Sequence, residues 1–132
     1  GYDYAQSGAY FVTLCTHGHL CLFGEIRDGA MHMNDAGVMI DSVWNEIPRR
    51  YLGVEIGCYV VMPNHIHGVI VFADPGPDAE RVSLAAIIRR FKTYTAARYG
   101  DGVANCGWPA YSGRLWQRNY YEHVIRGDAD HY

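Results

Sequence analysis

The chain has 132 residues, of which 49% are hydrophobic and 14% aromatic, and its net charge is −3. This composition excludes a disordered chain, and the length predicts one domain, residues 1–132, with a sizeable core. No apolar run reaches the roughly 18 residues that a membrane span needs, and no signal peptide is visible. The four cysteines form no CxxC pair, so we expect reduced thiols in a cytoplasmic protein.

Charge is distributed unevenly along the chain. Residues 1–80 carry three basic and ten acidic side chains, whereas residues 81–126 carry eight basic and two acidic ones. Seven of those eight cations are arginine, which suits bidentate phosphate contact and stacking on bases. A solvated helix face would also explain a basic helix, but the nearby tryptophans and tyrosines favour a nucleic-acid surface. The candidate DNA-binding residues are Arg89, Arg90, Lys92, Arg114, Arg118 and Tyr120.

The first half of the chain predicts four strands and one helix. β-Branched and aromatic residues at 9–16 favour a strand, and a second, short strand at 21–26 ends in the Asp28-Gly29 turn. Asn34 can cap a helix whose apolar residues recur at helical spacing, and Pro48 should end or distort that helix. The next two strands are predicted at 54–62 and 66–72, joined by a turn at Pro63-Asn64.

The second half of the chain predicts one helix and one strand. After a loop at 74–78, Ser83 can cap a helix with an apolar stripe on one side. Residues 100–113 are predicted to form a long irregular loop, and residues 115–121 a last strand. With right-handed crossovers, this order gives a ferredoxin-like α+β fold, an antiparallel sheet with two helices packed on one face.

A pair of histidines follows the Pro-Asn turn. His65 and His67 flank Ile66, and because side chains alternate along a strand, both imidazoles project from one face. Each imidazole must be solvated, hydrogen-bonded or bound to a metal, since a buried unsatisfied one is costly. We interpret the pair as half of a site for Mg²⁺ or Mn²⁺ bridging a phosphate. Candidates for a further ligand are His123, Asp128, Asp130 and His131.

Several blocks of the sequence together resemble one family, the REP-associated tyrosine transposases, which are single-tyrosine HUH transposases of the IS200/IS605 group. The resemblance covers nearly the whole chain. The most specific blocks are residues 59–68 (YVVMPNHIHG) and 116–126 (WQRNYYEHVIR). Further matches are Tyr2-Asp3-Tyr4, residues 8–13 (GAYFVT), residues 21–24 (CLFG) and Phe91-Lys92.

The resemblance implies a bacterial enzyme with an HUH nuclease fold that binds DNA hairpins and their single-stranded flanks. It implies that His65 and His67 hold a divalent metal. A tyrosine would cleave the strand, giving a 5′-phosphotyrosine link and a free 3′-hydroxyl that can reverse the reaction. Transposases of the REP-associated kind are expected to act as monomers, so we favour a monomer over a homodimer.

The family's nucleophilic tyrosine lies on a helix after the block that ends at Arg126, at a distance that places it past Tyr132. We therefore expect the catalytic helix, with the nucleophile and a further metal ligand, to lie outside this chain. Tyr132 and Tyr121 are the candidate nucleophiles within it.

Two other functions remain open. One is a truncated or domesticated hairpin-DNA-binding module without activity, which would bind DNA and form no covalent adduct. The other is a small RNA-binding protein of ferredoxin-like fold, which would prefer RNA in competition. The predicted central strands carry no aromatic pattern of the kind that RNA-binding sheets display.

Overall fold

The computed structural model describes residues 8–73 and 82–125. In chain order the elements are β1 (Gly8–Cys15), β2 (Gly24–Arg27), β3 (Ala30–Met33), α1 (Asp35–Asn45), α2 (Ile47–Arg50), β4 (Val54–Met62), β5 (His65–Phe72), α3 (Leu84–Cys106) and β6 (Tyr121–Ile125).

Four strands form the main sheet, in the spatial order β4-β5-β1-β6, with every neighbouring pair antiparallel. The connections through α1 and through α3 return the chain to this sheet, as in the ferredoxin-like fold. The predicted α+β fold of the HUH type is therefore confirmed. The remaining strands, β2 and β3, pair only with each other and form a separate hairpin.

The two faces of the main sheet differ. Ile66 and Ile70 of β5 and Val12 and Leu14 of β1 are fully buried, in the same core as the apolar sides of α1 and α3. The alternate residues point the other way, and most of them are partly or largely exposed, among them Phe11 of β1. We call this second side the open face, because no described helix packs on it. The side that carries the helices is the helix face.

Local signals explain most element boundaries. The Asn34 side chain caps α1 by accepting from the Gly37 amide at 2.9 Å. Pro48 lies in the first turn of α2, where its missing N–H costs nothing, so α1 ends before it as predicted. Between β2 and β3, Asp28 and Gly29 both have positive φ, 52° and 76°, as a tight hairpin turn requires. The strand predicted at 21–26 lies instead at 24–27, and its partner β3 was not predicted.

The loop predicted at 100–113 is wrong over its first half, because α3 continues to Cys106. Gly102 touches the Trp108 ring so closely that a side chain would overlap it, so packing compensates for the weak helix propensity of glycine. Gly107 then ends the helix in the left-handed conformation, with φ 72°. The Trp108 amide donates back to the Gly102 carbonyl at 3.1 Å.

The strand predicted at 115–121 is also wrong. Leu115 and Trp116 are both buried, whereas consecutive strand residues point to opposite faces. Trp116 Nε1 donates to Thr95 Oγ1 of α3 at 2.9 Å, and the backbone here forms only an isolated bridge, Thr16 with Trp116, at the end of β1. Continuous pairing with β1 begins only at Tyr121, the first residue of β6.

Candidate functional site

The two histidines of the predicted metal site lie side by side on the open face. His65 and His67 are partly exposed, whereas Ile66 between them is completely buried on the helix face. The centroids of the two imidazole rings are 6.0 Å apart, with the ring planes at 89°. The alternation predicted from the sequence is therefore confirmed, and β5, which is a central strand, holds both side chains.

The donor set and spacing of this pair fit a divalent ion. With a metal–nitrogen bond of about 2.1 Å and a ring radius of about 1.2 Å, imidazoles sharing one ion place their centroids about 4.7 Å apart at a right angle and at most about 6.6 Å apart on opposite sides of the ion. The observed 6.0 Å lies within this range. Within residues 8–73 and 82–125, no third histidine, cysteine or carboxylate lies close enough to complete such a site. Among the described residues, the candidate metal ligands are therefore these two imidazoles.

Each imidazole contacts a polar side chain. His65 Nδ1 lies 2.8 Å from Asn64 Oδ1, and His67 Nδ1 lies 3.5 Å from Thr13 Oγ1 of β1. The Phe11 ring stands at 63° against the His67 ring, with 4.8 Å between centroids. Burial, together with the nearby charge of His67, lowers the pKa of His65 below its ordinary value. This shift favours the neutral imidazole, which is the form that binds a metal.

The further ligands predicted from the sequence do not join the pair within the described residues. His123 lies on the open face, but its β1 partner is Phe11, whose ring stands against His67. His123 is therefore separated from the histidine pair by an aromatic side chain. Asp128, Asp130 and His131 lie outside the described residues, as does the candidate nucleophile Tyr132.

Tyr121, a candidate nucleophile, and Tyr120, a candidate DNA contact, lie next to each other at the start of β6 and face in opposite directions. Thr13 pairs with His67 on one side and with Tyr121 on the other, so Tyr121 shares a cross-strand row with His67 on the open face. Its side chain is 70% exposed, and two strand spacings of about 4.8 Å separate it from His67. Tyr120 turns to the helix face, where its ring centroid lies 5.5 Å from Lys92 Nζ.

Five of the six predicted DNA-binding residues line one surface between α3 and residues 114–120. A cleft of about 370 Å³ there is lined by Arg89, Lys92, Arg118 and Tyr120, and Arg114 lines its continuation. Lys92 also has a structural role, because its ammonium donates to the carbonyls of Gln117 and Arg118 at 2.9 and 3.2 Å. Burial lowers the pKa of Lys92. We call this surface the basic cleft.

Arg90, the sixth of these residues, lies apart from the basic cleft. It faces the groove between α2 and α3, with its guanidinium 5.9 Å from the Tyr51 ring centroid. In the same groove Arg50 lies over the Tyr94 ring at 5.0 Å, and Arg98 lies at 5.7 Å from that ring. In the part of the chain that the structure describes, only Arg27 and Arg50 form salt bridges. The other arginines keep their charge available for an anionic partner.

Sequence reasoning missed the polar and aromatic neighbours of the pair. Asn64 was assigned only to a turn, although its position beside His65 was a usable signal. Thr13 and Phe11 lie more than fifty residues away in the chain and reach the pair only through the β1–β5 register. No local pattern in the sequence encodes that register.

The fold is that of the IS200/IS605-like transposases. A REP-associated tyrosine transposase bound to a REP hairpin matches 98% of this chain with a TM-score of 0.62 and 19% identity. A candidate transposase from Deinococcus radiodurans R1 matches 98% of the chain with a TM-score of 0.61 and 16% identity. This chain spans 62% of the length of the first structure and 87% of the second.

At the level of sequence, the chain belongs to the same protein family as an uncharacterized protein of Haemophilus influenzae Rd. The two are 32% identical over 150 aligned positions, which cover 98% of this chain and 77% of that protein. No protein-family model matches the chain. Among the described residues, no helix is both long and apolar enough to cross a bilayer.

Proposed function

We propose that this protein is a DNA-binding transposase that nicks and rejoins single-stranded or hairpin DNA through a 5′-phosphotyrosine intermediate, using Mg²⁺ or Mn²⁺. The observation that carries the proposal is the pair of imidazoles on the open face of a transposase-type sheet, 6.0 Å apart. Two neighbouring histidines on a rigid central strand lose little side-chain entropy when they bind one ion. We further propose that the protein acts as a monomer in the bacterial cytoplasm.

His65 and His67 would hold the ion, and Asn64 and Thr13 contact their second ring nitrogens. A bound Mg²⁺ or Mn²⁺ supplies Lewis-acid polarisation of the scissile phosphate. The role of the chain itself is to orient the phosphate beside this pair. The open face suits that role because Phe11 and Tyr121 present exposed aromatic rings there, on which bases of a single strand can stack.

In the proposed reaction, a tyrosine oxygen attacks the scissile phosphorus while the bond from phosphorus to the 3′-oxygen breaks. The phenol proton is released and the 3′-oxygen leaves as a hydroxyl, so the 5′-phosphate remains joined to tyrosine. Attack by a 3′-hydroxyl reverses the step and rejoins the strand. Within the described residues Tyr121 is the candidate nucleophile on the same face as the pair, and the second candidate, Tyr132, lies outside them.

The proposed DNA contacts lie on the helix face. Arg89, Arg114 and Arg118 line the basic cleft and form no salt bridge within the described residues, so they can contact phosphates without losing a protein partner. Tyr120 adds an aromatic ring to the same cleft. A hairpin stem bound there would send its single-stranded flank around the sheet edge toward the open face.

The test is a search for a covalent protein–DNA adduct. The protein is incubated with an end-labelled hairpin that carries single-stranded flanks, with Mn²⁺ or with EDTA, and run on a denaturing gel. We expect an adduct with Mn²⁺ only, and its loss in Tyr121→Phe if Tyr121 is the nucleophile. An adduct that persists in Tyr121→Phe assigns the nucleophile to another tyrosine. Absence of any adduct in every condition would contradict a nucleophile within residues 1–132, and the same result with a chain that extends past Tyr132 would contradict the enzymatic proposal.

A hairpin-DNA-binding module without activity is the second candidate. The unpaired arginines of the basic cleft favour it, because that surface needs neither the metal nor a nucleophile. Hairpin binding in a native gel shift without an adduct on the denaturing gel would support this function. Stronger binding to an RNA hairpin than to the DNA hairpin of the same sequence would instead support an RNA-binding protein.

A further inference from the structure

The side chain of Asn64 contacts one of the two ring nitrogens of His65. Asn64 Oδ1 lies 2.8 Å from His65 Nδ1. An amide oxygen can only accept a hydrogen bond, so Nδ1 of the imidazole must donate. In the neutral ring the second nitrogen, Nε2, then keeps a free lone pair. The contact therefore selects one of the two neutral tautomers of His65.

The segment that follows β1 forms hydrogen bonds to the turn that carries Asn64. The Thr16 amide donates to the Asn64 carbonyl at 3.0 Å, and Thr16 Oγ1 lies 3.2 Å from the same oxygen. Thr16 Oγ1 also donates to the Leu20 carbonyl at 2.8 Å, and the Phe23 amide donates to the Pro63 carbonyl at 3.0 Å. Because Thr16 is completely buried, water does not compete for these bonds.

The partner of His67 does not impose a tautomer in the same way. Thr13 Oγ1 lies 3.5 Å from His67 Nδ1, which is longer than a usual hydrogen bond. A hydroxyl can also donate as well as accept, so it does not select one tautomer. The two histidines of the pair are therefore not equivalent. The short contact of His65 with an oxygen that can only accept favours one tautomer of its imidazole, whereas the contact of His67 is compatible with either tautomer.

We infer that Asn64 is a positioning residue, which holds His65 in the Nδ1–H tautomer and leaves Nε2 as its metal-binding nitrogen, with Thr16 fixing Asn64 in place. The inference rests on the proposed function for the identity of the ion, but the tautomer itself requires no metal. Partners of this kind orient ligating histidines and raise their basicity, and losing one costs about 10–100-fold in metal affinity.

The tautomer is read directly by long-range ¹H–¹⁵N correlation NMR of the metal-free protein at mildly alkaline pH, where His65 is neutral. We expect the Nδ1–H pattern for His65 in the wild type and in Asn64→Asp, whose carboxylate accepts the same hydrogen bond. In Asn64→Ala we expect the pattern to shift toward the Nε2–H form that free imidazoles favour. An Nε2–H pattern in the wild type, or no change in Asn64→Ala, would overturn the inference.

Mn²⁺ binding, followed by the loss of the free-ion EPR signal, gives the second measurement. Asn64→Ala should bind Mn²⁺ about 10–100-fold more weakly than the wild type, whereas Asn64→Asp should restore tight binding. Asn105→Ala, at an exposed asparagine of α3, is the matched control and should change nothing. Thr16→Val should weaken binding, and Thr16→Ser should restore it. Equal Mn²⁺ affinity in the wild type and Asn64→Ala would contradict the inference.

The two proposals fail in different ways. A protein with the Nδ1–H pattern and an Asn64-dependent Mn²⁺ affinity that forms no DNA adduct would refute the nicking reaction and leave the role of Asn64 standing. A protein that forms the adduct but carries His65 as the Nε2–H tautomer would refute the role of Asn64 alone.

Discussion

Gly68 of β5 faces Tyr59 of β4 so closely that a side chain at position 68 would overlap the Tyr59 Cβ. The glycine follows the histidine pair directly, and the absence of a side chain lets Tyr59 reach across to α1. There the Tyr59 hydroxyl donates to Asp41 at 2.7 Å and accepts from the Asn45 amide. The strand that carries the pair is therefore packed against its neighbour by a contact that only glycine allows.

Gly68→Ala should destabilise the protein by about 1–3 kcal/mol, because the added methyl group forces β4 and β5 apart. The free energy of unfolding in urea measures this effect. Gly100→Ala is the control, since a Cβ there meets nothing within 4 Å and the site is helical. It should stabilise the protein by about 0.4–1 kcal/mol. Equal free energies of unfolding for the wild type and Gly68→Ala would show that stability does not depend on the close contact between Gly68 and Tyr59.

Thr95→Val should cost about 1–3 kcal/mol of stability, because it leaves the buried Trp116 Nε1 without its acceptor. The same chemical change at Thr93, which is exposed on the same helix, should be nearly neutral. Urea unfolding monitored by tryptophan fluorescence compares the two variants. A similar loss in both would mean that the Trp116–Thr95 bond contributes little.

Acidification should destabilise the metal-free protein through His65. Its pKa is lowered in the folded state by burial and by His67, so below about pH 6.5 the unfolded chain binds more protons than the folded one. Stability therefore falls as the pH drops through this value toward the folded-state pKa. In EDTA, urea unfolding at several pH values should show a shallower decline in His65→Asn than in the wild type. Equal declines in the two proteins would show that His65 does not cause the loss of stability at low pH.

Arg89→Ala with Arg118→Ala, which removes two cations of the basic cleft, should weaken hairpin binding and flatten its salt dependence, since each lost phosphate contact reduces the log–log slope by about 0.9. The matched control is Arg27→Ala, because Arg27 already forms a salt bridge with Glu25 at 2.9 Å. Affinities measured by fluorescence anisotropy at several salt concentrations give the slopes. A wild-type slope in the double variant would exclude this surface from DNA binding.

The sequence alone predicted the parts of the structure that depend on local chemistry. The cap at Asn34, the break at Pro48 and the strand at 54–62 all follow from neighbouring residues, and the alternation around Ile66 placed His65 and His67 on one face. The errors arose where distant packing decides the conformation. Gly102 continues a helix on which Trp108 packs, and the segment at Trp116 forms one isolated bridge instead of a strand, with its indole bonded to α3.

The same division holds for the candidate site. The basic residues were identified by counting charges along the chain. Such a count does not tell toward which side of α3 each side chain points, so the separation of Arg90 from the basic cleft could not be predicted. Lys92 was identified as a DNA contact, whereas its ammonium donates to two backbone carbonyls. The contacts of Phe11 and Thr13 with His67 depend on the β1–β5 register, which forms only when the chain folds.

The proposal that His65 and His67 bind a divalent ion can be tested by measuring Mn²⁺ binding, because this binding depends on neither the nucleophile nor the DNA. The EPR titration compares the wild type with His65→Ala/His67→Ala, and with His17→Ala/His19→Ala, which removes two exposed histidines of the same spacing. We expect Mn²⁺ binding to be lost in the first double variant and unchanged in the second. Unchanged Mn²⁺ binding after loss of His65 and His67 would contradict the proposal.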